Sequence, residues 1–514
     1  MAMHTLAVWL PLTLILLCPL FILLKKKTRE KKQLPPCPPK LPILGNLHQL
    51  GALPHQSLWQ LSKKYGPVMS LQLGHLPAVT ISSADAAREV LKTHDLACCS
   101  RPSLVGAGRL TYNYSDVAFA PYGDYWRHLR KICVLELFSS KRVQSFQSIR
   151  EEEVAALMNS IFQSASSATP VDLTQKLFSL TAGIIFRIAF GRSFQGSSLH
   201  HDRFHEVVHE CEAVLGSFSA QEYLPYVGWI VDRLTGHQAR LDRVFHKMDS
   251  FFEHVIEDHI ASGNAEKDQE DIVDLMIRMQ RDQTEHRTTR LTKDNIKGVL
   301  LNIFLGAIDT GAITVIWAMA ELIRNSKLMK KAQSEVRNYI GNKGSVIKGD
   351  IEHLPYLNMI IKETLRLHPP APLLLPREVI SHFKVNDYNI YPKTFLQVNA
   401  WAIGRDPNYW KEPEEFIPER FDDSSIDFKG QNFEFLPFGA GRRICPAINL
   451  ATATLELVLA NLLYCFDWKF PSGLKEEELN MEETVGLSLT VSKKTGLNLV
   501  PVNYLESLPV NNTS

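Results

Sequence analysis

Between Leu291 and Asn325 the sequence keeps helical spacing for about thirty mostly apolar residues. A helix this apolar must be buried on most sides, so the rest of the chain has to be arranged around it. Thr292 is placed to cap its start. Its middle reads Gly306-Ala307-Ile308-Asp309-Thr310-Gly311. Two glycines, an acid and a hydroxyl each cost stability inside a buried helix. Packing through small residues accounts for the glycines but not for Asp309. A functional reading accounts for both: a locally opened helix leaves room for a small reactant, and Asp309 and Thr310 relay protons to it.

A second stretch bears on the chemistry. From Phe435 to Ala447 the chain reads Phe-Leu-Pro-Phe-Gly-Ala-Gly-Arg-Arg-Ile-Cys-Pro-Ala. Cys445 ends a glycine-rich turn and abuts an apolar run in which Asn449, Thr452, Leu455, Leu459 and Leu462 keep helical spacing. Pro446 suits the first position of that helix, where a missing N–H costs nothing. Cys445 is therefore expected at a helix N-terminus, whose partial positive charge favours thiolate over thiol, with Arg443 adding charge nearby. The competing reading of a lone cysteine is a small buried hydrophobe. Gly439-Ala440-Gly441 lacks the third glycine, and the strand-then-acid context, of a dinucleotide loop.

The whole string decides between these. Phe438-x-x-Gly441-x-Arg443-x-Cys445 resembles the haem-binding signature of the cytochrome P450 family. Further motifs follow the family's order. Trp126-Arg127-His128-Leu129-Arg130-Lys131 resembles its Trp-Arg-x-x-Arg-Lys run, and Gly306 to Gly311 resembles its oxygen-side motif. There Ala307 stands for a second glycine and Gly311 for a final hydroxyl residue. Glu363-x-x-Arg366 and Pro418-Glu419-Arg420-Phe421 match its buried Glu-Arg-Arg network. The resemblance covers nearly the whole chain after the N-terminus and is strongest to plant microsomal members of the seventy-one clan.

It implies a mainly α fold with a small β-rich subdomain, preceded by one transmembrane helix. It also implies haem b (iron protoporphyrin IX) with Cys445 as the iron ligand. Trp126, Arg130, Arg377, Phe438 and Arg443 become cofactor-binding positions, and Thr310 and Asp309 catalytic ones. Trp126 and Arg130 lie four apart on one helical face, where an indole N–H and a guanidinium suit a propionate. Arg127 and Lys131 form another face, suited to an acidic electron donor. The implied reaction is insertion of one atom of O2 into a hydrophobic metabolite. Its electrons come from NADPH through a separate NADPH–cytochrome P450 reductase. Family habit puts terpenoids first among substrates, with alkaloids and phenolics or coumarins as alternatives. Leu373, Leu374 and Leu375 are candidates for the pocket wall, and a turn from Thr484 to Leu489 is expected to line it from another side. Ala447 stands where the family usually has glycine.

The N-terminus reads as an anchor. Leu6 to Leu24 is uncharged, apolar and just long enough to span a bilayer, and Lys25, Lys26, Lys27, Arg29, Lys31 and Lys32 come directly after it. That order is the reverse of a signal peptide's, and it places the downstream chain in the cytosol, on the endoplasmic reticulum membrane. Expected boundaries are 1–32 for anchor and stop-transfer, 33–46 for a proline-rich hinge and 47–514 for the catalytic domain. The formal net charge of +1 gives no pull toward nucleic acid, and the eight cysteines include no C-x-x-C pair. One rival from another reaction class remains. His205-Glu206-Val207-Val208-His209 matches a zinc-protease helix, but position 212 is Glu where a metzincin needs glycine, and no third ligand comes after it.

Overall fold

The computed structural model describes residues 33–191, 201–217, 219–262, 270–282, 291–471, 478–485 and 489–504. The proposed anchor lies outside these residues. The elements that position the site are, in chain order, strands β1 (Val68–Leu73) and β2 (Leu76–Ile81) and helices α1 (Asp124–Ile132), α2 (Leu173–Phe190), α3 (His201–Gly216) and α4 (Gly228–Leu234). Helices α5 (Lys293–Arg324) and α6 (Pro355–Leu367), strands β3 (Arg377–Glu378) and β4 (Phe395–Val398), and helix α7 (Ile448–Cys465) come next.

The long apolar run is one helix, α5, roughly 48 Å long at 1.5 Å per residue. Its start is held by a reciprocal cap. Thr292 Oγ1 accepts from the Asn295 amide at 3.2 Å, and Asn295 Oδ1 accepts from the Thr292 amide at 2.7 Å. Helices α2, α6 and α7 pack around it, so Phe304, Ile308 and Trp317 are fully enclosed. Trp317 stacks on His368 at 4.0 Å, just where α6 ends before Pro369. By length and composition α2, α5 and α7 are apolar enough to cross a membrane. With 72, 72 and 61% of their apolar windows buried inside the protein, they form its core instead.

The helix does not open at its polar centre. Residues 306–311 continue as regular α-helix, and the Thr310 hydroxyl donates to the Gly306 carbonyl at 2.6 Å, one turn back. Room comes from the missing side chain: a Cβ on Gly306 would meet nothing within 4 Å. Gly311 has the opposite reason for being small, since a Cβ there would lie 3.3 Å from Thr181 Cγ2 on α2.

The β-rich part is a four-stranded sheet in the order β1-β2-β4-β3. Strands β1 and β2 pair antiparallel from Val68↔Ile81 to Leu73↔Leu76 about Gly74, whose φ of +57° needs glycine. Strand β4 joins β2 in parallel, and β3 pairs antiparallel with β4. The hinge segment is tied along this sheet, with the Pro35 carbonyl accepting from Ser70 Oγ at 2.8 Å and the Pro36 carbonyl from the Ser70 amide at 2.8 Å.

The Gly-, Ser- and Tyr-rich stretch from Arg101 to Pro121 contains a short helix, Val105–Leu110. Three left-handed residues, Tyr112, Asn113 and Tyr114, come after it. The tyrosine side chains are tied elsewhere: Tyr112 Oη donates to Asp249 at 2.9 Å and Tyr114 Oη to the Leu104 carbonyl at 2.9 Å. The antiparallel pair Phe466–Lys469 with Asn498–Asn503 was not apparent in the sequence pattern.

Candidate active site

A cavity of about 340 Å³ lies between α5, the turn before α7 and the segment leading into β3. Its walls are mostly apolar, as small-molecule sites require. Cys445, Phe438, Arg130, Arg377, Arg443 and Thr310 all line it.

The turn that carries Cys445 is shaped by Gly441, whose φ is +70° and whose Cβ would lie 2.4 Å from the Leu91 carbonyl and 2.6 Å from Asp95 Oδ1. Asp95, 2% exposed, organises this region. It accepts from Arg377 Nη1 at 2.6 Å, from the Arg442 amide at 3.1 Å and from Arg442 Nη1 at 3.0 Å. Cys445 donates its own amide to the Phe438 carbonyl at 3.0 Å, which closes the loop back on itself.

Helix α7 begins at Ile448 with Ala447 as its cap, so Pro446 precedes the helix instead of opening it. The Cys445 sulfur therefore meets one donor, the Ala447 N–H, and not a full helix end. Burial pushes the thiol up, opposed by that N–H and by Arg130. The nearby cation is thus Arg130 and not Arg443. A thiol so placed becomes a thiolate by binding a metal cation.

Arg443 is turned away from the sulfur. It donates to the carbonyls of Cys99 (2.9 Å), Val117 (3.2 Å) and Ala120 (2.6 Å). Its guanidinium lies 4.1 Å from the Trp126 ring centre, a cation–π contact. The Trp126 indole N–H donates to the Val117 carbonyl at 3.0 Å, so Trp126 sits behind Arg443 and not in the cavity wall. Burial holds Arg443 down to about 9. Arg130 donates to the Ile444 carbonyl, and burial lowers it too.

Arg101 is a functional candidate that sequence reasoning passed over. It lines the cavity, 6% exposed, and donates to Ala118 (2.8 Å), Leu375 (2.7 Å) and Pro376 (2.6 Å) carbonyls. Its burial, with Arg443 and Arg377 beside it, holds it well below the usual guanidinium range. Nothing marks it locally, because its role arises from segments far apart in sequence.

Four guanidiniums thus crowd one end of the cavity, against the buried carboxylates of Asp95 and Asp116. Burial raises Asp116 to about 6, opposed by hydrogen bonds from Asn302 and the Phe119 and Ala118 amides. Buried positive charge in such surplus calls for an anionic partner. A planar apolar macrocycle with two carboxylates and a thiolate-seeking iron fits these residues. Leu374 and Leu375 face the cavity, but Leu373 packs with Leu47, Leu58 and Phe395 on the sheet. Leu489, the end of the expected C-terminal turn, and Thr490 line the other side, while residues 486–488 of that turn lie outside the described residues.

Asp309, 2% exposed, does not face the cavity and interacts instead with Glu212 of α3. The side chains of His205, Glu206 and His209, the zinc-site alternative, lie outside the described residues. The fourth acid of that helix, Glu212, does line the cavity.

A cysteine, a cluster of arginines and a hydroxyl from the central helix thus line one apolar cavity. The family model for cytochrome P450 matches residues 35–498. The chain is 54% identical to Cytochrome P450 71B37 of Arabidopsis thaliana over 97% of its own length and 99% of the relative's, and 54% identical to Cytochrome P450 71B10 with the same coverage. A zebra fish cytochrome P450 solved with abiraterone superposes with a TM-score of 0.74 at 24% identity, covering 88% of this chain and 99% of that one. The chain belongs to the cytochrome P450 family, within the plant seventy-one clan, and is a monooxygenase with a haem-iron cofactor.

Proposed function

We propose that this enzyme inserts one oxygen atom from O2 into a hydrophobic plant specialised metabolite, a terpenoid in first place, with alkaloids and phenolics or coumarins as the alternatives. NADPH–cytochrome P450 reductase supplies the electrons, and the enzyme acts as a single-pass protein of the endoplasmic reticulum membrane with its catalytic domain cytosolic. The observation that carries this reading is that Cys445 and Thr310 share one apolar cavity with a cluster of buried arginines.

When bound, haem supplies the iron at which O2 is reduced and made reactive. Cys445 holds that iron and lends it electron density. Arg130, Arg377, Arg443 and Arg101 neutralise the two propionates, and Trp126 keeps Arg443 in place by stacking under it. Phe438 fixes the ligand loop through its carbonyl. The apolar walls exclude water and orient the substrate. Thr310 holds a proton at Oγ1, parked on the Gly306 carbonyl, beside the space that Gly306 leaves open. Asp309, on the neighbouring position, does not face the cavity and bonds Glu212 instead, so Thr310 is the member of this pair placed to deliver the proton.

Membrane attachment has support of its own. Tyr226 (91% exposed), Trp229 and Leu234 (82%) on and before α4 are apolar and uncovered, as is Ile43 (79%) in the hinge. The β1–β2 turn joins the two patches: Gly74 donates to the Leu44 carbonyl at 3.2 Å and His75 to the Tyr223 carbonyl at 2.9 Å. Exposed apolar side chains on both segments suit a bilayer, which the hinge can reach. The exposed cationic side chains of Arg127 and Lys131 on α1 suit an acidic flavoprotein.

The direct test is turnover in microsomes with reductase and NADPH on a panel of terpenoids, alkaloids and phenolics. The expected result is a product one oxygen heavier than a terpenoid substrate, and gain only on another class would move the assignment there. Thr310→Ala is expected to keep haem and consume NADPH while releasing most reducing equivalents as hydrogen peroxide. Measuring peroxide per NADPH checks this, and coupling equal to wild type would remove Thr310 from proton delivery.

A further inference from the structure

The cavity wall contains an acid for which the reaction above has no use. Glu212 is 3% exposed and faces the cavity from α3, among Ile184, Ile185, Ile303 and Leu489. Its Oε2 accepts from Thr490 Oγ1 at 2.9 Å, and its carboxyl hydrogen-bonds that of Asp309 on α5. Three segments distant in sequence thus converge on one buried carboxyl. Burial, and then Asp309, push Glu212 well up from the usual carboxylate range, opposed by Thr490. Neither Asp309 nor Thr490 is a cation.

Raised in this way, Glu212 carries its proton and donates it to the Asp309 carboxyl. That proton is committed to the bond joining them. What Glu212 presents to the cavity is therefore acceptor capacity, the remaining lone pairs of its carboxyl group. A carbonyl or ether oxygen finds no donor there, whereas an O–H finds an acceptor. The arginines belong to the opposite polarity and to other segments, so the cavity has a cationic end and one acidic point in an apolar wall.

We propose that Glu212, backed by Asp309 and Thr490, is a specificity-determining residue that accepts a hydrogen bond from a hydroxyl group already present on the hydrophobic substrate. It thereby sets which carbon is presented for oxidation. The proposal rests on the monooxygenase reading above and deepens it: the substrate class is an apolar alcohol.

The test uses matched pairs that differ only in the donor. Full-length holoprotein in microsomes is titrated with geraniol, farnesol and geranylgeraniol, each against its own methyl ether, by the substrate-induced Soret change. In the wild type at least one alcohol is expected to bind about tenfold more tightly than its ether, the upper end of what one neutral hydrogen bond contributes. In Glu212→Leu the ratio is expected to fall to within about threefold of unity with the ether's affinity retained. Glu212→Gln, whose carbonyl still accepts, is expected to keep part of the preference. A merely structural role would weaken alcohol and ether alike. No alcohol preference in the wild type, or a preference that survives in Glu212→Leu, overturns the proposal without reliance on any one variant folding. The reduced carbonyl spectrum separates the two readings. A red-shifted Soret band without alcohol preference removes this inference alone, while its absence from the wild type removes the monooxygenase reading with it.

Discussion

Cys445→Ala is expected to abolish turnover and the red-shifted Soret band of the reduced carbonyl complex, while Cys133→Ala keeps both. The contrast matters because both thiols border the same cavity. Cys133 is fully buried in the helical segment that continues α1, and burial pushes its thiol up to about 12, with Arg130 opposing. Cys445 sits on a turn whose shape is fixed around it: the Gly441 close approach, the Asp95 anchor and the Cys445 amide bonded to Phe438 all act on the same loop. Its sulfur also meets the Ala447 N–H and Arg130, both of which favour the anion. Removing the sulfur takes away the one soft ligand presented on a preorganised loop. The expected loss is complete, because no other group on that turn can donate charge to iron. Absorption of the dithionite-reduced, carbon monoxide-treated protein checks it. A red-shifted band in Cys445→Ala, or its loss in Cys133→Ala with folding intact, would transfer the ligand role.

How far the sequence spoke depended on whether a role is local. The long helix was legible nearly to the residue, from its Thr292 cap to Asn325, because apolar periodicity and capping are properties of a single segment. Cys445 was legible through its turn, but the exact start of α7 was not. Pro446 is compatible with a first helical turn, yet the chain uses Ala447 as the cap, leaving Pro446 outside the helix. The opening expected in α5 failed for a physical reason: Thr310 can bond back to Gly306 without breaking the helix, and a glycine alone clears the space. Arg101, Asp95 and Glu212 were not legible at all. Each is an ordinary charged residue in its own segment and acquires meaning only where segments remote in sequence meet. Leu373 shows the same limit from the other side, since three consecutive leucines cannot all face one cavity and the backbone at Leu374, with φ of +52°, divides them.

Glu363→Ala is expected to cost about 3–5 kcal/mol, a large share of the ~5–15 kcal/mol that holds a domain folded, and to deplete haem-loaded protein. In the native structure Glu363 and Arg366 are fully buried. Arg366 Nε and Nη2 each reach Glu363 at 2.7 Å, a bidentate pair one helical turn apart on α6. Arg420 adds Nε to Glu363 Oε1 at 2.9 Å, and the Ile417 amide donates to the same oxygen at 2.8 Å. The remaining N–H groups are occupied too. Arg366 bonds the carbonyls of Gly404 (2.6 Å), Pro413 (2.7 Å) and Glu415 (2.9 Å), while Arg420 takes those of Lys411, Glu412 and Glu415. One carboxylate therefore neutralises two cations and ties α6 to the segment 404–420, which precedes the Cys445 turn. Removing it leaves two guanidiniums facing each other in a site closed to water, and their mutual repulsion adds to the lost bonds. Glu363→Gln keeps an acceptor but not the charge, so it is expected to fall between wild type and alanine. An exposed pair at the same spacing would contribute under about 1 kcal/mol, which makes the size of the effect diagnostic of burial. Thermal denaturation and haem content per chain, measured together, provide the check. A Glu363→Ala protein with wild-type melting temperature and haem loading would show that the network does not hold the core, however complete its hydrogen bonding.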